Sequence, residues 1–319
     1  MRLASVLTPP TPEHFELAAQ CGVTDFVGRY PQEGPSQLAT VKREVNSFGL
    51  ELSVLEGYLP MESLIVGQDD GTEMAAMKQL IRTMGELEIP ILCYNFMAGT
   101  DWTRTTLDAP ERGGAKVTKF DLKDIDQAVL LGHDSASTHI GPEIDTIDAA
   151  SLWDNLQRML DELLPVAEKA GVKLAMHPDD PPLPVFMGKD RIFNSVEKFE
   201  RFVQHFDSPS NGICFCQGNF AAMGADIPDA IRRLGPHIHY VHFRDVRGTS
   251  ECFTETFHDN GPTDMVAAMK AYREVGFDGP IRPDHVPQLV GEAEGEPGYT
   301  MKGRLFAYGY IRALMQATE

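Results

Sequence analysis

The segment LLPVAEKAGVKLAMHPDDPP, residues 163–182, joins an amphipathic run to a short apolar run and then to a polar, proline-rich turn. Gly171 stands where a helix needs a left-handed terminal residue. The apolar run Val172–His177 begins at once, as in the short helix-to-strand loops of α/β proteins. His177 then lies at the carboxyl end of the predicted strand. This unit predicts a parallel sheet covered by helices.

The same unit recurs along the whole chain, where short apolar runs alternate with longer amphipathic segments. Eight such repeats, with no ninth, favour closure into a single (β/α)8 TIM barrel over an open sheet. The predicted strands are Arg2–Leu7, Thr24–Arg29, Glu51–Glu56, Ile89–Phe96, Val172–His177, Gly212–Gln217, Ile238–Phe243 and Pro280–Asp284. The predicted helices lie near 12–21, 35–48, 72–87, 147–170, 195–206, 226–234, 263–275 and 301–316.

The length of 319 residues suits one barrel domain, 1–319, that carries an insertion. Residues 98–146 separate the fourth strand from its helix, and a connection of this length is typical of a lid, an extra hairpin or an oligomer contact. A homo-oligomer is therefore possible. The N-terminal stretch reaches Pro and Glu too soon for a signal peptide. The chain also has no apolar run long enough to span a membrane.

The net charge of −19 argues against nucleic acid as a partner, because counterion release requires Lys and Arg. An anionic substrate would need a local cation, such as a metal ion or a placed Arg. The five cysteines are odd in number and irregularly spaced, so they do not form a disulfide framework. A reducing cytoplasm is the expected location.

The carboxyl ends of the predicted strands carry the reactive side chains, and active sites of such barrels lie at that face. Four residues from four successive strands, His177, Cys216, His242 and Asp284, could converge on one divalent ion. Each alone has an ordinary structural explanation: a hydrogen-bonded histidine, a core cysteine or a capping aspartate. Because all four occupy matching strand ends, we expect a metal site. Four protein ligands with open positions favour Mn²⁺ or Fe²⁺ over a closed zinc site.

Charged residues beside these ends allow two interpretations each. Asp179 and Asp180 could orient His177 or its neighbours, or could cap a turn. Arg282 could bind a substrate carboxylate in bidentate fashion, or could pair with a nearby Asp.

The loops after the seventh and eighth strands add three more candidates. Glu255 and His258 could move protons or hold hydroxyl groups near an open metal site, or could be solvated loop residues. Tyr299 is expected to pack against its neighbours when the residues are considered alone. Because no GxGxxG follows a predicted strand and no GxxxxGK[ST] occurs, a nucleotide phosphate cradle is not expected.

Several segments together resemble the metal-dependent mannonate dehydratases of the xylose isomerase-like barrel class. The resemblance extends from about residue 85 to the C-terminus, and the segments His177–Pro182 and Arg282–His285 are specific to that family. The remaining matches are Cys93–Met97, Asp101–Thr105, Cys216 with Gly218, His242 with Arg244, Phe253–His258, Asp264 with Met265, and Pro297–Tyr299.

The resemblance implies an (α/β)8 barrel, Mn²⁺ or Fe²⁺, and conversion of D-mannonate to 2-keto-3-deoxy-D-gluconate. The family's metal ligands fall on His177, Cys216, His242 and Asp284. Its proton-transfer groups fall on His285, our expected base, and Tyr299, our expected acid, with Asp284 orienting the ion. The residues that we expect to contact the sugar acid are Asn95, Arg104, Arg244, Arg282, Glu255 and His258.

Two regions depart from the family pattern. The second strand ends in Gly28-Arg29-Tyr30, and region 120–146 is shorter than in typical members. Both positions are expected to shape the substrate pocket. The alternative hypotheses are a metal-dependent sugar isomerase or epimerase of the same barrel class and a barrel with a purely structural metal.

Overall fold

The computed structural model describes residues 1–31, 33–100, 102–131 and 144–319. Eight parallel strands close into a barrel in which each strand pairs with the next and the last pairs with the first. The predicted (β/α)8 barrel is thereby confirmed. The strands are β1 (Arg2–Ser5), β2 (Asp25–Gly28), β3 (Glu51–Glu56), β4 (Ile91–Tyr94), β5 (Lys173–Met176), β6 (Asn211–Cys216), β7 (Ile238–Phe243) and β8 (Pro280–Pro283).

Ten α-helices occur in the described part of the chain, and eight of them match predicted segments. They are α1 (Pro12–Gln20), α2 (Leu38–Ser47), α3 (Glu62–Val66), α4 (Thr72–Glu86), α5 (Ala149–Ala170), α6 (Val196–His205), α7 (Gln217–Ala222), α8 (Ile227–Leu234), α9 (Met265–Glu274) and α10 (Met301–Ala317). The two unpredicted helices, α3 and α7, are shorter than two turns, so they show no amphipathic period. The fourth strand is also shorter than the predicted run 89–96.

The helix that precedes β5 shows why the chain folds as predicted there. Asp148 caps α5 by accepting a hydrogen bond from the Ser151 backbone N–H at 2.7 Å. Gly171 ends the helix in the left-handed region, with φ 69°. The next strand begins two residues later, which leaves His177 just beyond its carboxyl end.

Two layers of apolar side chains stabilise the barrel. A large cluster fills the space between the strands and the outer helices. A smaller cluster lies inside the barrel and includes small residues such as Ala4 and Ala175, together with Cys93, Cys214 and Tyr240. These interior residues form the floor beneath the carboxyl ends of the strands.

The connection between β4 and α5 contains further strands. Thr106–Pro110 and Lys116–Asp121 join the hairpin Val246–Thr249 and Cys252–Glu255 in a four-stranded antiparallel sheet, and Thr103–Arg104 pairs with Val129–Leu130. Asp101 and residues 132–143 of the predicted insertion lie outside the described residues. Within the described ranges, no helix is long and apolar enough to cross a bilayer.

Candidate active site

The register of the last three strands brings the reactive side chains into one row. Cys216 on β6 is paired with His242 on β7, and His242 is paired with Arg282 on β8. A pocket opens at this end of the barrel. Its lining includes Arg29, Glu56, Tyr58, Cys93, Asn95, Trp102, His177, Asp180, His242, Arg282, Asp284, His285 and Tyr299.

Three of the four predicted metal ligands offer donor atoms that lie together. One nitrogen each from His177 and His242 and the Cys216 sulfur are all within 4.8 Å of one another. The fourth, Asp284, lies beside them, with Oδ2 3.6 Å from Cys216 Sγ and Oδ1 3.8 Å from His242 Nδ1. Imidazole, thiolate and carboxylate together are a donor set that fits a first-row divalent ion.

Hydrogen bonds fix which nitrogen of each histidine carries the lone pair. His177 Nδ1 lies 2.7 Å from the Pro178 carbonyl oxygen, which can only accept, so the lone pair of this ring is on Nε2. His242 Nε2 lies 3.1 Å from a Glu56 carboxylate oxygen, which leaves the lone pair on Nδ1, 3.5 Å from Arg282 Nη2. Such contacts behind a histidine orient it for metal binding.

Glu56, at the end of β3, organises one wall of the pocket. Besides His242, its carboxylate accepts hydrogen bonds from Arg282 at 2.8 Å, Tyr240 at 3.0 Å and Arg29 at 3.2 Å. Burial alone would raise the pKa of Glu56, but the charge of Arg282, with smaller contributions from His242 and Arg29, holds it well below its usual range. The carboxylate is therefore ionised in the folded protein.

A second network of buried ion pairs lies behind the pocket wall opposite Glu56. Arg104 binds Asp180 through two nitrogens, at 2.7 and 3.1 Å, and Glu255 at 2.7 Å. Arg244 binds Glu255 at 2.6 and 2.7 Å, and its Nε lies 2.6 Å from Asp284 Oδ2. Burial acts to raise the pKa of Glu255, yet Arg244, His285 and Arg104 hold it well below its usual value.

His285 and two aromatic rings complete the pocket. The imidazole stacks on Trp102, with ring centroids 4.0 Å apart, and the Tyr299 ring meets it edge-on at 5.6 Å. Its Nδ1 lies 2.9 Å from Glu255 Oε1. Burial lowers the pKa of His285, while the charges of Asp284 and Glu255 oppose that change. Burial also raises the pKa of Tyr299.

The structure divides the predicted substrate contacts into two groups. Among the described residues, Asn95 and Arg282 line the pocket, whereas Arg104, Arg244, Glu255 and His258 do not. Neither Glu255 nor His258 is a solvated loop residue, since both are buried. Burial lowers the pKa of His258 to about 4, so this ring is neutral near pH 7.

The two aspartates that follow His177 form their hydrogen bonds and ion pairs with groups other than the His177 ring. Asp179 accepts the Phe193 backbone N–H at 2.7 Å, and burial raises the pKa of this carboxyl to about 6. Asp180 belongs to the Arg104 and Arg244 network.

Arg29 follows β2 and reaches the pocket, in agreement with the expectation that this strand end shapes it. Its guanidinium carbon lies 5.8 Å from the centroid of the Tyr299 ring and 5.7 Å from that of Tyr58. The sequence predicts no chemical role for Arg29 itself, although it follows a strand end just as His177 does.

Solved structures of other proteins share this architecture. An L-ribulose 3-epimerase superposes with a TM-score of 0.64 at 14% identity, over 99% of this chain and 95% of that one. The mannonate dehydratase from Streptococcus suis serotype 2 superposes with a TM-score of 0.85 at 30% identity, over 100% of this chain and 95% of that one. The fold is therefore the (β/α)8 barrel that these two proteins share.

Sequence comparison identifies the family. The profile of D-mannonate dehydratase (UxuA) matches residues 19–319. The mannonate dehydratase of Oceanobacillus iheyensis is 34% identical over 302 residues, covering 89% of this chain and 85% of the relative. That of Streptococcus equi subsp. zooepidemicus is 35% identical over 298 residues, covering 87% and 81%. The chain belongs to the D-mannonate dehydratase family, and it is a hydro-lyase that removes water from a sugar acid.

Proposed function

We propose that the substrate is D-mannonate or a close analogue, that the product is 2-keto-3-deoxy-D-gluconate, and that one Mn²⁺ or Fe²⁺ ion is required. The observation that carries this proposal is the convergence of donor atoms from His177, Cys216 and His242 within 4.8 Å, beside Asp284. Membership of the family supports dehydration as the reaction, and the set of donor atoms supports the divalent ion as the cofactor.

The donor set fits such an ion in its orientation as well as its chemistry. The Pro178 carbonyl and the Glu56 carboxylate turn the free nitrogens of His177 and His242 away from their hydrogen-bond partners. Asp284 is ionised, because His285, Arg282 and His242 outweigh burial and hold its pKa well below its usual value. When bound, the ion would withdraw electron density from the substrate oxygens and make the C2 proton more acidic.

His285 is the base that we assign to C2. Glu255 is ionised and can only accept, so the bond to Nδ1 leaves the lone pair on Nε2 of His285. Stacking on Trp102 fixes the ring plane. Tyr299 is the acid that we assign to the leaving C3 hydroxyl, since its ring lies next to His285 and burial keeps the phenol protonated.

The charges around the pocket support an anionic substrate. Four arginines, Arg29, Arg104, Arg244 and Arg282, pair with four carboxylates, Glu56, Asp180, Glu255 and Asp284, so these two networks carry no net charge. Glu62 is a further carboxylate of the pocket lining. A divalent ion with the Cys216 thiolate would place a positive charge beside the networks, where a substrate carboxylate can bind even though the whole chain carries a net charge of −19.

We also propose that residues 1–319 form one domain and that residues 98–146 act as a lid. Trp102 supports this assignment, because it belongs to the insertion and lines the pocket. Arg104 supports it too, since this insertion residue is fully buried against Asp180 and Glu255.

The test is an assay of purified protein loaded with Mn²⁺ or Fe²⁺ against a panel of sugar acids. We expect 2-keto-3-deoxy acid to form from D-mannonate at a higher kcat/KM than from its C2 and C3 epimers. Chelation should abolish turnover, and the added metal should restore it. Formation of a ketose or of an epimer without loss of water would replace this proposal with an isomerase or epimerase.

A further inference from the structure

The barrel interior holds a second set of potential metal ligands beneath the site described above. The sulfur atoms of Cys93 and Cys214 and one ring nitrogen of His242 all lie within 4.8 Å of one another. All three residues are buried. We propose that Cys93, Cys214 and His242 bind one thiophilic divalent ion, of the class of Zn²⁺ and Cd²⁺, and that this binding inhibits the enzyme.

The strand geometry places this set one layer below the proposed catalytic ligands. Cys214 and Cys216 are two residues apart on β6, so their side chains point to the same face, the barrel interior. Two residues correspond to roughly 6.6 Å of strand length. Cys93 comes from β4 and His242 from β7, so three different strands converge on this point, as in the layer above.

The donor chemistry selects a soft ion. Two thiolates and an imidazole prefer zinc-like ions, whereas carboxylates and water suit manganese. At zinc bond lengths the ligand atoms of one tetrahedral ion stand roughly 3.5–3.8 Å apart, so small side-chain rotations close this group around an ion. Two thiolates also neutralise a divalent charge, which suits the apolar residues of the barrel interior.

An ion can reach this set from the substrate pocket. Cys93 and His242 both line that pocket, and Cys214 lies behind them. The fourth position of a tetrahedral ion would face the pocket and take a water molecule. His242 belongs to both sets, so an ion on the two interior cysteines would either take the Nδ1 lone pair or replace the Glu56 contact at Nε2 that orients the ring. Inhibition follows from this shared ligand.

The test uses Cd²⁺, whose bonds to thiolates absorb in the ultraviolet in proportion to their number. Cd²⁺ titration of the full-length protein should give a strong thiolate-to-cadmium band. In the variant Cys93→Ser/Cys214→Ser we expect the band to fall by half or more. Cys252→Ser, which removes an exposed thiol, is the matched control and should leave the band unchanged. Equal bands in the wild type and the double variant would overturn the proposal.

A second measurement needs no variant. Cadmium-113 NMR of the wild-type protein should show a resonance in the range of sites with two thiolate ligands. A spectrum with only single-thiolate resonances would overturn the proposal, even if the double variant does not fold.

Inhibition is measured on the Mn²⁺-loaded enzyme, with each rate normalised to that protein's own uninhibited rate. We expect Cd²⁺ or Zn²⁺ to inhibit the wild type, and the double variant to require a roughly tenfold or higher concentration, since loss of residues that only support metal ligands already costs about 10- to 100-fold in affinity. Equal sensitivity would remove the inhibitory role. Because the cadmium spectra do not depend on turnover, they test the interior site even if D-mannonate is not the substrate.

Discussion

Glu255 and His285 form a buried pair, with Glu255 Oε1 2.9 Å from Nδ1 of the imidazole, although Glu255 lies in the hairpin after β7 and His285 lies in the loop after β8. Arg104 and Arg244 hold the carboxylate from its other sides, at 2.7 and 2.6 Å. His285 is thus oriented through its rear nitrogen while its other nitrogen is left for chemistry. Glu255 does not line the pocket and acts on the reaction through the side chains that it holds, so it is a positioning residue.

Replacing Glu255 with Gln should slow turnover more than it weakens binding. Proton abstraction leaves a charge on His285, and the Glu255 carboxylate stabilises it. We expect kcat to fall by about a hundredfold or more, with KM changed by less than about threefold. Steady-state kinetics with a metal analysis checks this. Glu111→Gln, which breaks an ion pair with Arg247 outside the pocket lining, is the control. A larger change in KM than in kcat would mean that Glu255 binds substrate.

The two proposed proton-transfer groups can be separated by isotope exchange. In deuterated water, His285→Asn should abolish exchange of the C2 proton and lower kcat by roughly 10²- to 10⁴-fold, the usual contribution of a general base. Tyr299→Phe should retain C2 exchange but lose keto acid formation, because only the departure of the C3 hydroxyl is affected. Proton NMR of the substrate follows the exchange and an assay for 2-keto acids follows the product. Undiminished exchange in His285→Asn would assign the base to another group.

Arg29 is a second pocket cation, beside Arg282, that we expect to bind the substrate. It reaches the pocket from β2 and keeps 31% of its side-chain surface exposed, unlike the buried Arg104 and Arg244. A hydrogen bond to a charged group contributes about 1.5–3 kcal/mol. Arg29→Met should therefore raise KM for the sugar acid by roughly 10- to 100-fold.

The measurement is KM and bound metal for Arg29→Met beside Arg233→Met, a surface control on α8. Metal content should stay the same in both variants. Loss of metal in Arg29→Met would show that Arg29 acts through Glu56 and His242, and an unchanged KM would remove it from the substrate site.

How far the sequence predicts this site depends on how directly chain position fixes spatial position. His177, Cys216 and His242 could be placed because a strand end in the sequence is also a point on the barrel rim. Arg104 could not be placed, because it pairs with Asp180 and Glu255 through an insertion whose path no periodicity specifies. The sequence predicts a substrate contact for Arg104, and the structure shows its guanidinium bound to two buried carboxylates.

The same reasoning explains the interior cysteines. Cys93 and Cys214 each look like small core residues in their own strands. Only the curvature of the closed barrel brings β4 close enough to β6 for their sulfur atoms to meet.

His239 should make the stability of the fold depend on pH. It lies on β7, is 8% exposed, and its Nε2 is 3.2 Å from the Asn211 carbonyl oxygen. A Cβ atom at Gly212 would lie 2.2 Å from the His239 ring, so the glycine leaves room for it. Burial, with a smaller effect of Lys173, lowers the pKa of His239 from 6.5 to about 4. The folded protein therefore holds this histidine neutral.

Between pH 6.5 and about pH 4 the unfolded chain binds a proton at His239 that the folded chain does not bind. The contribution of neutral His239 to the free energy of unfolding is thus fully present above pH 6.5. As the pH falls toward 4, the free energy of unfolding decreases by at most about 3 kcal/mol. His239→Gln should flatten this part of the stability curve relative to the wild type, while His205→Gln on the exposed face of α6 should not. Urea unfolding at several pH values measures the difference. Parallel curves for wild type and His239→Gln would show that the ring becomes protonated without disturbing the barrel.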